Sequence, residues 1–213
     1  LLGIVWDVTI SGNNAYLLAG LEAGLRIVDL TNMATPQVVG SLRLPQPGLG
    51  LTVVGGYAYI ADWAAGLRVI DVSTPAQPRE VGAYITGGTV RDVVVQGRYA
   101  YLADSEGALV VVDITDPSAP VGVSTLSLGD PVVDVTVVGH YAYVATGRTG
   151  LRIVDVTNPT QLFEVGGLTT PGHIEAVAVA DEVAYLVDSK AGLLIVDVHV
   201  AAQPIVLTTL GTP

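Results

Sequence analysis

Cysteine is absent from the 213 residues. That excludes a disulfide framework and any thiolate metal site, and it leaves the redox compartment open. Charge is sparse, at 14% of residues, and only nine residues are Lys or Arg against 20 Asp or Glu. Arg26, Arg68 and Arg152 recur at one repeated position and belong to the scaffold. The concentrated basic surface that nucleic acid or an anionic membrane demands is therefore missing, and a net charge of −11 points the other way. Half the residues are hydrophobic and the mean hydropathy is +0.57. Yet no uninterrupted apolar run approaches the roughly 20 residues of a spanning helix, so membrane insertion is not expected. Strands buried on both faces, which read as continuous Val/Ile/Leu runs, account for the excess apolarity. No phosphate loop, nucleophile elbow or zinc-binding spacing occurs. His140, His173 and His199 fall in different turn classes and form no cluster. No cofactor is expected. No signal-peptide pattern opens the chain, and Leu rather than Met stands first, which suggests a processed, excised or engineered segment.

What the chain does have is a period. Arg26-Ile27-Val28-Asp29, Arg68-Val69-Ile70-Asp71, Val110-Val111-Val112-Asp113, Arg152-Ile153-Val154-Asp155 and Leu194-Ile195-Val196-Asp197 end in aspartates spaced 42 residues apart. Ala58-Tyr59, Ala100-Tyr101, Ala142-Tyr143 and Ala184-Tyr185 step by the same interval. Ala15-Tyr16 comes one place early, which puts one extra residue into the first repeat before Gly24. A fixed period of this length signals a repeat architecture.

The third repeat shows the plan. Val90 to Val95 is a β-branched run ended by Gln96-Gly97-Arg98. Tyr99 to Asp104, Ala108 to Ile114 and Val121 to Leu126 follow as further strands, separated by Ser105-Glu106-Gly107 and a Pro-rich turn. Short β-branched and aromatic runs bounded by Gly, Pro and Asp are strand-and-turn signatures, and no segment keeps a helical period. Four short antiparallel strands in about 40–45 residues correspond to one propeller blade, whereas solenoid coils are usually shorter. The expected fold is all-β: a five-bladed β-propeller, one four-stranded antiparallel blade per 42-residue repeat. Residues 1–213 form a single domain in this reading, with blades at 4–44, 45–86, 87–128, 129–170 and 171–213.

Gly150-Leu151-Arg152-Ile153-Val154-Asp155-Val156-Thr157-Asn158-Pro159, preceded by Tyr141-Ala142-Tyr143-Val144-Ala145, resembles the LVIVD-repeat family of bacterial and archaeal β-propellers. The likeness covers nearly the whole chain. It implies the propeller fold and an extracellular or cell-surface setting, but no single activity.

Positions alike in every copy hold the fold, and loop positions that differ on one face are candidates for binding. The turn between the second and third strands and the loop leading into the first strand share a face. The former includes Leu21-Glu22-Ala23 and Trp63-Ala64-Ala65; the latter includes Thr170-Pro171-Gly172-His173. At the start of the first strand the repeats read Trp6, Leu49, Arg91, Val133 and Glu175. Trp6, Trp63, Arg91, His173 and Glu175 are the candidate ligand-binding residues, because Trp and Arg are frequent binding anchors. The structural alternative is that Trp6 plugs the terminal seam and Trp63 covers a blade edge. Asp7, Asp92 and Asp134 share the next repeated position. They read first as bonding backbone groups in each blade, and are only weak candidates for a hard cation. The aspartates at 29, 71, 113, 155 and 197 precede turn residues and read as Asx-type turns.

The expected function is a non-enzymatic scaffold or binding module, monomeric, recognising a protein or surface polymer through the loop face. A lectin needs site residues that repeat, and the repeated residues look like core. A glycoside hydrolase would use Asp92, Asp134 and Glu175 as acid and base. Near-identical repeats also fit an engineered or recently amplified scaffold without an evolved ligand, or a fragment of a longer ring.

Overall fold

The computed structural model describes residues 4–20 and 24–211. The Leu21-Glu22-Ala23 turn, with the extra residue of the first repeat, lies outside the described residues. The strands run in chain order. The first repeat holds β1 (Val5–Ser11), β2 (Asn14–Ala19), β3 (Gly24–Asp29) and β4 (Gln37–Leu42). The second holds β5 (Gly50–Val54), β6 (Tyr57–Ala61), β7 (Leu67–Asp71) and β8 (Arg79–Tyr84). The third holds β9 (Val90–Gln96), β10 (Tyr99–Asp104), β11 (Ala108–Asp113) and β12 (Val121–Ser127). The fourth holds β13 (Val132–Val138), β14 (Tyr141–Thr146), β15 (Gly150–Asp155) and β16 (Phe163–Leu168). The fifth holds β17 (Ile174–Ala180), β18 (Val183–Asp188), β19 (Gly192–Asp197) and β20 (Ile205–Leu210).

Each repeat is one four-stranded meander in sequential strand order, so the fold is the all-β, five-bladed β-propeller that the period predicts. The chain divides into two compact units, residues 1–100 with 112–122 and residues 101–111 with 123–213. The division runs through the third repeat.

In the first unit, β1 lies against β5 and β5 against β9. In the second, β13 lies against β17. Within each unit, adjacent blades thus meet along their first strands, and the core sits between blade faces. Tyr16, Leu18, Leu25 and Ile27 of the first blade pack on Leu51, Ile60 and Ile70 of the second. Tyr143, Ala145, Leu151 and Ile153 of the fourth blade pack in the same way on Val177, Leu186 and Val196 of the fifth. In the second, third and fourth repeats the aliphatic runs of the middle strands are continuous because residues on both blade faces are buried. Fully burying one such side chain stabilises by roughly 1.5–3 kcal/mol.

The turns are set by the repeated aspartates. Oδ1 of Asp29, Asp71, Asp113, Asp155 and Asp197 accepts the N–H two residues ahead, at 2.7–3.0 Å. The hydroxyls of Thr31 and Ser73 bond the same oxygen, and these bonds hold the carboxyls of Asp29 and Asp71 below their ordinary range. Glycine sits where these blades approach most closely. A Cβ on Gly40 would overlap the Pro75 carbonyl oxygen, and one on Gly166 would overlap that of Ala201.

Candidate functional site

The rim formed by the second-to-third-strand turns and the lead-in loops is laced by backbone hydrogen bonds. Within a blade, the Leu49 N–H donates to the Ala61 carbonyl, and His173 and Ser189 are joined by two bonds of 2.9 Å. The Asp130 carboxylate accepts the N–H groups of Arg148 and Thr149. Between blades of the first unit, the Val90 N–H donates to the Trp63 carbonyl at 3.1 Å. In the second unit, the Ile174 N–H donates to the Gly147 carbonyl at 3.0 Å. The turn of one blade is therefore tied to the lead-in of the next, which places the two loop classes on one rim.

All five candidate ligand-binding residues have exposed side chains. Trp6, Trp63 and Arg91 belong to the first unit, His173 and Glu175 to the second. Trp63 forms an isolated β-bridge with Val90, the residue before Arg91, so the turn and the strand start meet there. Trp6 and Arg91 hold equivalent positions on β1 and β9, with β5 between those strands.

Two local features were not legible in the sequence. The first is a β-bulge. Val5 pairs with Ala19 and Asp7 with Leu18, which leaves Trp6 as the extra residue of its strand. Val133 and Glu175 are extra in the same way on β13 and β17. A bulge re-aims a side chain and ends regular pairing, and bulges concentrate at rims and sites. The second feature is the backbone of Trp63. Its φ is +46°, in the left-handed region, where a bulky side chain is an outlier costing about 1–3 kcal/mol. Gly147 holds the equivalent place in the fourth blade, at φ +22°. Trp63 keeps 44% of its surface exposed and Trp6 51%, so neither indole recovers full burial.

The residue before Trp63 is Asp62, which is wholly inaccessible to solvent. Neither carboxylate oxygen completes a well-formed hydrogen bond, and its charged neighbour is the Arg68 Nε at 3.4 Å. Burial pushes its pKa up to about 6, against the opposing pull of Arg68 and the Gln46 N–H. Arg68 itself is shared with Glu80 at 2.9 Å.

Asp7 and Asp134 act between blades. Asp7 Oδ1 accepts the Val8 N–H, and its Oδ2 accepts the Leu51 N–H of the next blade at 2.7 Å. Asp134 Oδ2 accepts the Val177 N–H at 2.7 Å. Asp92 sits over Gly50, where any Cβ would overlap the carboxylate. Among the described residues no group of three or more His, Asp or Glu is placed to hold a metal ion. The repeated tyrosines Tyr16, Tyr59, Tyr101 and Tyr143 are buried, so their rings are unavailable for stacking.

An open cleft of about 430 Å³ lies at the other end of the second blade, lined by Tyr57, Arg79, Glu80 and Asp116–Ser118. Its polar groups serve the scaffold. Arg79 pairs with Asp71 at 2.8 Å, and Asp116 accepts from Ser118 at 2.7 Å. No helix among the described residues is long and apolar enough to cross a membrane.

Comparison with known proteins agrees with this architecture. The LVIVD repeat model matches residues 2–43, 50–86, 87–126, 131–170 and 171–209. No curated protein matches the sequence. Among solved structures, a protein from Lactobacillus plantarum superposes with a TM-score of 0.87 at 13% identity, covering 100% of this chain and 73% of that one. The Cps50 (Swd1) β-propeller domain of Myceliophteria thermophila gives 0.78 at 15% identity, covering 99% and 72%. The computationally designed Ika8 protein gives 0.75 at 11% identity, covering 98% of this chain; this chain spans only 62% of its length.

Proposed function

The chain belongs to the LVIVD-repeat family, and from that premise we propose that it is a non-enzymatic binding module, displayed outside the cell or on its surface, that holds a protein or a surface polymer on its loop rim. The observation that carries this reading is Trp63. A half-exposed indole on a left-handed backbone is a cost to folding that glycine would avoid at the same place. Strain of this kind clusters where a ligand is clamped. Arg91 follows the residue bridged to Trp63, and the pair supplies the aromatic and guanidinium groups that dominate binding hot spots.

Two features support binding over hydrolysis. The oxygens of Asp7 and Asp134 are engaged by backbone N–H groups. The buried repeat tyrosines argue against a lectin site in every blade. The test is binding of the immobilised chain to a panel of purified bacterial cell-wall polysaccharides and secreted proteins, beside the Trp63→Ala and Arg91→Ala variants. A hit whose affinity falls at least tenfold in each variant, with Tm retained, is expected. Binding that ignores both substitutions, or glycan hydrolysis lost in Asp92→Asn, would sink the reading.

A further inference from the structure

The repeat allows every blade face to be compared at matched positions. On the face that receives the preceding blade, the first-strand residues are Val8, Leu51, Val93, Val135 and Val177. Their exposures are 56%, 5%, 2%, 3% and 6%. Leu17 and Val28 on the same face of the first blade are likewise partly exposed, while their counterparts Ile60 and Ile70 are fully buried. On the face that meets the following blade, Tyr185 of the fifth blade is 39% exposed against 2–5% for its four counterparts. Val187 is 47% exposed, whereas Leu18, Ala61, Ala103 and Ala145 lie between 0 and 1%. Leu193 and Ile195 complete that uncovered face. Both end faces thus carry the apolar pattern that packs blade on blade inside each unit.

The polar fittings of a blade junction are present at the ends as well. In the interior, a small residue of the fourth strand meets a carbonyl of the next blade's turn. Gly40 meets Pro75, Gly166 meets Ala201, and the Ser124 hydroxyl donates to the Pro159 carbonyl at 2.6 Å. The fifth blade carries Thr208 there, exposed, with a hydroxyl able to donate as Ser124 does. The first blade offers Met33 at the receiving turn, 85% exposed where Ala201 is 8%.

We propose that each end face is a docking surface for one kind of partner: a further four-stranded blade of this same repeat. The face of the first blade takes the Tyr-bearing face of such a blade, and the Tyr185 face takes the Val-bearing face of another. The structural relatives give the number. Five blades that span 62–73% of these longer chains leave room for about two or three more, within the four to eight blades that propellers use. An apolar patch made of interblade side chains is an interaction site rather than ordinary surface. The end faces carry the inference, which is independent of the ligand proposed for the loop rim.

The test extends the 213-residue chain at its C-terminus with a copy of its own residues 45–128. Hydrogen exchange and binding of a hydrophobic dye are then followed in both chains. The expected result is at least tenfold slower exchange for strands β1–β3 and β18–β19, and loss of dye binding, in a monomeric product. Unchanged exchange at both faces in a folded extended chain overturns the proposal. So does a discrete dimer of the unextended chain that protects both faces, which would make the occupant a second copy. If the extended chain fails to fold, Val8→Lys and Val187→Lys in the 213-residue chain decide the matter. Uncovered faces tolerate both with little change in Tm. A large drop in Tm from either would mean that the face is already covered, and would overturn the proposal.

Discussion

Asp62 and Asp188 hold the same place in the second and fifth blades, at the end of the second strand, and both are buried. Their surroundings differ in one respect. Asp188 accepts the N–H groups of Gly172, Lys190 and Ala191 at 2.7–2.9 Å. Burial pushes its pKa up, but those three bonds outweigh it and hold the carboxyl below its ordinary value. Asp62 lacks such a cradle and is carried up to about 6. The difference lies in the loops. The fifth blade's lead-in brings Gly172 against the carboxylate, so close that a Cβ would collide with Asp188 Oδ1. In the second blade the turn is diverted by Trp63 and its left-handed backbone. The scaffold uses the carboxylate as a clip in one blade, and in the other leaves it buried, without a cradle, next to a strained Trp63 backbone.

The largest effect should come from breaking the clip. Asp188→Ala leaves three backbone N–H groups without their acceptor in a closed site, a loss on the order of 3–5 kcal/mol. Chemical denaturation should show it as a lower midpoint with an unchanged slope, since the surface exposed on unfolding stays the same.

Removing charge from Asp62 should act in the opposite sense. Its pKa rises from 3.8 to about 6 on folding. Between those values the folded chain keeps a proton that the unfolded chain has released, so stability falls as pH rises through that window. Above it the charged, buried carboxylate costs about 3 kcal/mol, because every tenfold gain in proton affinity on folding is worth about 1.4 kcal/mol. Asp62→Asn should therefore stabilise the chain at pH 8 and flatten its stability between pH 4 and 6. A variant whose midpoint keeps the wild-type pH dependence would show that Asp62 is not the titrating group.

The scaffold was legible in the sequence because it is written five times. Four strands per repeat and the Asx turns at Asp29 and its equivalents follow from local pattern and period. The candidate rim was legible only as a set of positions that vary. That Trp6 and Glu175 are bulge residues depends on pairing register with the neighbouring strand, which residue type does not reveal. The interblade bonds of Asp7 and Asp134 are long-range contacts, spanning 44 and 43 residues, and a single repeat carries no mark of them. The opposite fates of Asp62 and Asp188 were hidden for the same reason, since both read as an acidic residue ending a strand. Gly172 was the one local hint, as a residue without Cβ beside a buried carboxylate.

The smallest effect is also the sharpest test of what the second blade's loop is for. Trp63→Gly removes an indole that is only half covered and gives the left-handed position the residue that Gly147 supplies two blades later. Relief of the backbone strain should outweigh the lost contacts and stabilise the chain by about 1 kcal/mol. A rise of a few degrees in Tm with the fold unchanged would mean that the tryptophan is held at a cost to the scaffold, as a residue kept for contact with a ligand would be. A fall in Tm would mean that the indole stabilises the fold by covering the edge of β9, and the rim would lose its strongest claim to a binding role. Because Asp62 lies directly before Trp63, the double variant with Asp62→Asn separates the two contributions. Additive gains would make the strain and the buried charge independent features of one loop. A shortfall of more than about 0.5 kcal/mol would show that relaxing the backbone already lets the Asp62 carboxylate find the N–H groups that Asp188 enjoys.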